Sequence, residues 1–210
     1  MKLYDIVRID HFRGFSSFYS VPFGSRNAVN GSWHKGPSAD LFRAVESALG
    51  KVEIIAEDLG FVDDGVRSLM KKTGFPGMKI LQFAFDSRES NGYLPHNYER
   101  NCVVYIGTHD NDTLAGWLEN ADCKDVEFAK KYLRLSVEEG YVEGFIRSAM
   151  SSVGDNVILT MQDLLRFDSS ARMNVPSVPF GNWRWRALES DFSPDLSEKL
   201  LEITQLYGRI

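Results

Sequence analysis

Three apolar runs in this chain stop abruptly at a carboxylate, and that repeated ending limits what the chain can fold into more than any other feature. Leu3, Tyr4, Ile6 and Val7 lead into Arg8-Ile9-Asp10-His11-Phe12-Arg13-Gly14. Glu53-Ile54-Ile55-Ala56 leads into Glu57-Asp58-Leu59-Gly60, and Val103-Val104-Tyr105-Ile106-Gly107 into Thr108-His109-Asp110-Asn111-Asp112-Thr113. A short apolar run closed by a polar cluster reads as a buried parallel strand with its polar residues at the carboxyl end. Barrel enzymes keep their chemistry at that end of the strands.

Between these runs the periodicity turns helical. Ser38 is the expected N-cap of a helix through Leu41, Phe42, Val45 and Leu49 that stops at Gly50. Val66, Leu69 and Met70 mark a second helix, ending near Gly74-Phe75-Pro76-Gly77. Met78, Ile80, Leu81, Phe83 and Phe85 predict a third strand that runs to Asp86, followed by a surface loop over 87–101. Further helices are expected over 113–120, 124–138 and 141–153, the last two amphipathic. A fifth strand spans Asn156 to Met161, and a final helix runs from Pro194, capped by Ser193, to Tyr207. The segment from Phe15 to Pro37 reads as a long loop carrying Phe15, Phe18, Tyr19, Phe23 and Trp33. Those rings either cover the core or line a site for flat, partly apolar ligands such as sugar faces. The class is α/β: five strands alternating with helices, half or more of a βα array. A closed eight-stranded barrel, typically about 250 residues, does not fit in 210.

Composition narrows the partners. The net charge is -5 and the Lys and Arg residues are scattered, so no footprint for nucleic acid or polybasic membrane patch is present. Two cysteines, Cys102 and Cys123, suit a reducing compartment, and no apolar span of about 18 residues or signal peptide is evident. A cytoplasmic, water-soluble chain is the expectation.

The chemistry rests on the strand-end carboxylates. Retaining glycoside chemistry needs a carboxylate nucleophile and a carboxylic acid about 5 to 5.5 Å apart, and consecutive strands can bring Asp10 and Glu57 together. The same residues serve equally well in a plainer reading, in which Asp10 pairs with Arg8 or Arg13 while Glu57 and Asp110 cap helices. A required metal is not expected, because His11, His34, His96 and His109 fall in four separate loops and no metal-binding spacing occurs. Phosphate-binding glycine loops and a G-x-S-x-G elbow are also absent.

Four strings, RIDHFRGF, AEDLG, GTHDNDT and ARMNVPSVPFGNWRWR, occur in that order. With the strand framework between them, they resemble the 4-alpha-glucanotransferases (amylomaltase or disproportionating enzyme), glycoside hydrolase family 77 of the alpha-amylase clan. The likeness runs from residue 2 to the end. It implies that residues 1–210 are the C-terminal part of a catalytic (β/α)8 TIM barrel, about five βα units with the barrel incomplete. It further implies that Asp10 is the nucleophile, Glu57 the general acid/base and Asp110 the third carboxylate, which stabilises the transition state. Arg8 would orient Asp10, and His109, Asn182 and Trp183 would contact substrate. No cofactor is implied. The substrates would be α-1,4-glucans and maltooligosaccharides, and the reaction glucan transfer by retaining double displacement.

Family members are much longer, with earlier barrel strands before the RIDHFRG strand. The resemblance therefore implies either a C-terminal fragment of a full enzyme, the favoured reading, or a truncated gene product that needs a partner chain. The chain alone is expected to be inactive, with the missing N-terminal half as its partner. Two other readings stand beside it: a non-catalytic half-barrel that binds glucan or protein, and an alpha-amylase-type hydrolase of the same clan.

Overall fold

A computed structural model describes residues 3–60, 62–88 and 91–210, with the side chain of Asn91 outside the description. The chain divides into two compact units, Met1–Met78 and Lys79–Ile210.

In the first unit, strand β1 (Ile6–Ile9) is followed by a 3-10 turn at Phe12–Phe15. Strands β2 (Ser17–Ser20) and β3 (Ser32–Lys35) pair antiparallel, so the stretch expected to be an open loop is a hairpin with its connection between. Helix α1 (Ala39–Leu49), strand β4 (Glu53–Ala56) and helix α2 (Asp64–Thr73) complete the unit. Strands β1 and β4 are parallel, in register from Ile6↔Glu53 to Ile9↔Ala56. Their common core holds Phe12, Ala39, Phe42, Ile54, Ala56 and Leu69, with Ile9, Phe15, Val52, Met70 and Phe75 packed against it. Phe12 is its centre, with ring centroids 5.4 Å from Phe42 and 5.7 Å from Phe15.

Helix ends follow local chemistry in α2 but not in α1. The Asp63 carboxylate accepts the Val66 N–H (2.9 Å) at the start of α2, and Gly74, at φ 68°, ends it in the left-handed conformation that glycine tolerates. Ser38 does not cap α1 with its side chain. Its backbone sits at φ 54° with its N–H on the Phe15 carbonyl (2.7 Å), and a capping hydroxyl needs the extended backbone that this arrangement denies it. β1 is also less buried than its apolar run suggests: Ile6 is 52% exposed, because β4 is its only strand partner among the described residues.

Strand β5 (Gly77–Ile80) carries the chain into the second unit, whose sheet has the order β5-β6-β7. Strand β6 (Cys102–Tyr105) is buried at every residue, as a central strand should be, and lies parallel to β7 (Asn156–Ile158). The expected strand from Met78 to Phe85 ends at Ile80 and gives way to one helical turn, α3 (Leu81–Ala84). A continuous apolar run does not distinguish strand from buried helix, and Leu81, Gln82 and Ala84 are all buried in the helical form.

Helices α4 (Leu114–Asn120), α5 (Cys123–Leu133) and α6 (Tyr141–Met150) lie between β6 and β7, close to the expected spans. Phe145 of α6 is fully buried against Phe85 and Trp117. Strand β7 also stops short of Met161, which opens helix α7 (Met161–Leu164) after the N-cap Thr160. The last helix, α8 (Pro194–Leu206), starts at Ser193, whose hydroxyl accepts the Leu196 N–H. Arg209 beyond it donates to the carbonyls of Met150, Ser152 and Gly154, fastening the end of the chain to the end of α6. The segment 87–101 is not all surface: Tyr93, Leu94 and Tyr98 are buried, while residues 89 and 90 lie outside the described residues. No described helix is long and apolar enough to cross a membrane.

Candidate active site

In the first unit the register decides the geometry. Ile9 pairs with Ala56, so Asp10 and Glu57 each stand one residue beyond the last pair, side by side at the carboxyl ends of two parallel strands. The backbone beyond the ladder stays joined there. Glu57 N–H donates to the Ile9 carbonyl and Phe12 N–H to the Glu57 carbonyl, both at 2.9 Å.

The two carboxylates differ in what holds them. Oε2 of Glu57 accepts the His11 N–H (2.6 Å) and Oε1 accepts the Leu59 N–H (3.0 Å), so the group is aimed by backbone on both sides. Asp10 is exposed and has no side-chain hydrogen bond or ion pair among the described residues. Arg8 shares its strand face by alternation but makes no ion pair with it. Arg13 pairs instead with Asp63 (3.1 Å) and lays its guanidinium over the Trp33 ring, 4.6 Å from the centroid. The plainer capping roles are taken by others, since Asp63 caps α2 and Thr113 caps α4.

In the second unit, Thr108 to Thr113 form the turn that joins β6 to α4. Asn111 shapes it from within: its Oδ1 accepts both the Thr108 N–H and the Thr108 hydroxyl, each at 2.9 Å. Asp110 is exposed, and its Oδ1 accepts the Asn174 side-chain amide at 2.5 Å. Its carbonyl accepts Arg172 Nη2 at 2.6 Å. The His109 ring lies 5.0 Å from the Trp183 ring, and Trp183 is 51% exposed, so the pair forms a half-open aromatic wall rather than a packed interior.

Asn182 faces inward on its own loop. Its Oδ1 accepts the Val175 N–H (3.0 Å), and its Nδ2 donates to the carbonyls of Val178 (2.8 Å) and Val175 (3.3 Å). It shapes the segment that delivers Trp183, whose N–H donates to the Met173 carbonyl (2.7 Å).

Asp110 opens on a cavity of about 540 Å³ that Asp86, Asp112, Trp117, Asn120 and Arg172 also line. Arg88 grips the Asp86 carboxylate through two hydrogen bonds and holds it below the usual carboxylate range. A polar cavity with Phe83 and Trp117 in its wall suits a hydroxyl-rich ligand. Arg172 and Asn174 are site residues that sequence reasoning missed. They lie in the ARMN string, but nothing local marks a residue that works more than sixty positions away.

Comparisons with known proteins agree with one another. The family model described as 4-alpha-glucanotransferase matches residues 1–190. A 4-alpha-glucanotransferase of Clostridium butyricum is 51% identical over 210 residues, covering all of this chain and 43% of that protein. The chloroplastic/amyloplastic 4-alpha-glucanotransferase of Arabidopsis thaliana is 46% identical over 99% of this chain and 37% of its own length. Among solved structures, amylomaltase from Streptococcus agalactiae in complex with acarbose superposes with a TM-score of 0.92 at 40% identity, over 99% of this chain and 42% of that one. The chain thus spans about two fifths of the length of the relatives it matches.

Proposed function

Because the chain belongs to the 4-alpha-glucanotransferase family, we propose that it carries the carboxylates of an enzyme that transfers α-1,4-glucan segments between maltooligosaccharides or starch chains. The observation that carries this reading is the placing of Asp10 and Glu57 one step past the paired ends of neighbouring parallel strands. Neighbouring strands run about 4.8 Å apart, close to the roughly 5 to 5.5 Å between carboxyl groups in retaining enzymes.

Asp10, which makes no side-chain hydrogen bond or ion pair among the described residues, attacks the anomeric carbon, and the glycosidic bond breaks as Glu57 protonates the departing oxygen. Glu57 then takes the proton from the 4-hydroxyl of an acceptor sugar, which displaces Asp10. Two inversions give net retention. Backbone N–H groups hold both Glu57 oxygens, so the carboxyl is aimed in one direction for the two proton transfers. Asp110 holds sugar hydroxyls, with Asn174 and Arg172 keeping its carboxylate and carbonyl in place. The half-open His109–Trp183 wall offers a sugar one imidazole and one indole face, and Asn182 sets the loop that presents it. Arg8 orients Asp10 once a glucan is bound.

The strands belong, in this reading, to the C-terminal part of an eight-stranded barrel, and residues 1–210 to one catalytic domain of a cytoplasmic enzyme. The high structural overlap with an amylomaltase supports it. The partner is then the N-terminal portion of the barrel.

Maltotriose tests the proposal. The chain joined to the preceding portion of the Clostridium butyricum relative is expected to yield glucose and a ladder of longer maltooligosaccharides, and Asp10→Asn to abolish both. The chain alone is expected to be silent. Products shorter than maltotriose without any longer ones would overturn transfer in favour of hydrolysis.

A further inference from the structure

The turn that carries His109 and Asp110 is held along its length by one later segment, and the contacts run in reverse order. The Asn174 N–H donates to the His109 carbonyl (3.0 Å), and the Asn174 amide and Arg172 hold Asp110. The Ser169 hydroxyl donates to the Asp112 carboxylate (2.7 Å). Last in the series, Oδ1 of Asp163 accepts the N–H of Leu114, the first residue of α4, at 2.7 Å. Gln82 adds a bond from α3 to the Asp112 carbonyl (2.9 Å).

Asp163 is the member of this series that local folding does not explain. It is 2% exposed, and a carboxylate removed from water is costly unless it is held for a reason. The groups around it do not neutralise it. Leu114 N–H and the Thr160 side chain hydrogen-bond it, the Asp112 charge opposes it, and burial pushes its pKa up. It lines a cavity of about 300 Å³ together with His109, Asn111, Asp112 and Arg172. The α4 side of the turn has no slack, because a Cβ at Gly116 would collide with Ser169 Oγ and press on the Asp112 carboxylate.

We infer that Asp163 is a positioning residue for Asp110: by fixing Leu114 it sets the far end of the turn, and with β6 setting the near end the His109–Asp112 stretch has one arrangement. The inference deepens the role proposed for Asp110 and rests on it. Asp163 lies 53 residues beyond Asp110 and acts only through the backbone of the turn.

Amide exchange and chemical shifts of the ¹⁵N-labelled chain test this without turnover. Asp163→Ala should speed exchange at Leu114 by about 10- to 100-fold, as expected for losing a hydrogen bond to a charged group, and should move the amide signals of His109 and Asp110. Asp163→Asn, which keeps an acceptor oxygen, should restore both. If Asp163→Ala does not fold, Asp163→Glu serves in its place. It keeps the charge, displaces the anchor by one methylene, and should shift the same turn signals.

In the joined, active protein, Asp163→Ala should lower kcat more than it raises KM. The Asp163→Ala, Asn174→Ala pair should lose less than the product of the single losses, because both act on one turn. Turn signals left in place by Asp163→Ala or Asp163→Glu would overturn the inference, as would fully independent losses in the double variant. A wild-type protein that gives no glucan ladder overturns the function and leaves the amide result to decide the positioning.

Discussion

Asp163 has a consequence for stability as well as for the turn. Burial, helped by the neighbouring Asp112 charge, raises its pKa in the folded protein, against the lowering effect of the Leu114 and Thr160 hydrogen bonds. A carboxyl whose folded pKa lies above its unfolded value, about 3.9, contributes stability that is fully present below that value and is lost as pH rises through the folded one. Asp163→Asn carries no charge at any pH and keeps an acceptor for Leu114. Its stability relative to wild type should therefore rise from pH 4 toward neutrality, read as a melting-temperature difference that grows in its favour with pH; parallel profiles would count against the buried charge. At this scale Asp10, Glu57 and Asp110 are legible, because a carboxylate closing an apolar run is a local pattern. Arg172, Asn174 and Asp163 are not, because each acts on a backbone or side-chain group 49 to 64 positions away in the chain.

The 3-10 turn after β1 joins core and site in a single element. Phe12 is fully buried among Phe15, Phe42 and Phe75, while its N–H donates to the Glu57 carbonyl and the neighbouring His11 N–H donates to the Glu57 carboxylate. Phe12→Ala should cost about 3 to 5 kcal/mol, measured by urea denaturation, and should loosen the Glu57 carboxylate with the turn. A loss below about 1 kcal/mol would mean that the core collapses around the gap. The helices were legible from their periodicity and turn residues, as Gly74 at the end of α2 and Ser193 at the start of α8 illustrate. The boundary between β5 and α3 was not. Met78, Ile80, Leu81, Phe83 and Phe85 satisfy either geometry, and it is the chain turning back on itself, with the Phe85 N–H on the Gln82 carbonyl, that marks the helical turn. The β2–β3 hairpin was missed for a related reason: Tyr19↔Trp33 and Phe18↔His34 are cross-strand pairs that become visible only once the strands meet.

For the whole molecule, the open side of β1 predicts behaviour in solution. Leu3, just before β1, is 84% exposed, and Ile6 is 52% exposed on a strand whose only described partner is β4. An apolar strand with an unpaired edge is a template for association. The isolated chain should sediment as more than a monomer, and Ile6→Lys should shift it toward one; a wild-type monomer at all concentrations would show that this edge is inert. By itself the sequence determined the α/β class, the helices, the family and the three strand-end carboxylates, all of which are written in local periodicity or contiguous strings. Only the tertiary structure decided that Asp10 stands beside Glu57 with no side-chain hydrogen bond or ion pair among the described residues, that Arg13 serves Asp63 and Trp33 instead, and that the 163–174 segment holds the Asp110 turn. Those outcomes depend on strand register and on which donors reach which acceptors across tens of residues, and no local pattern encodes that.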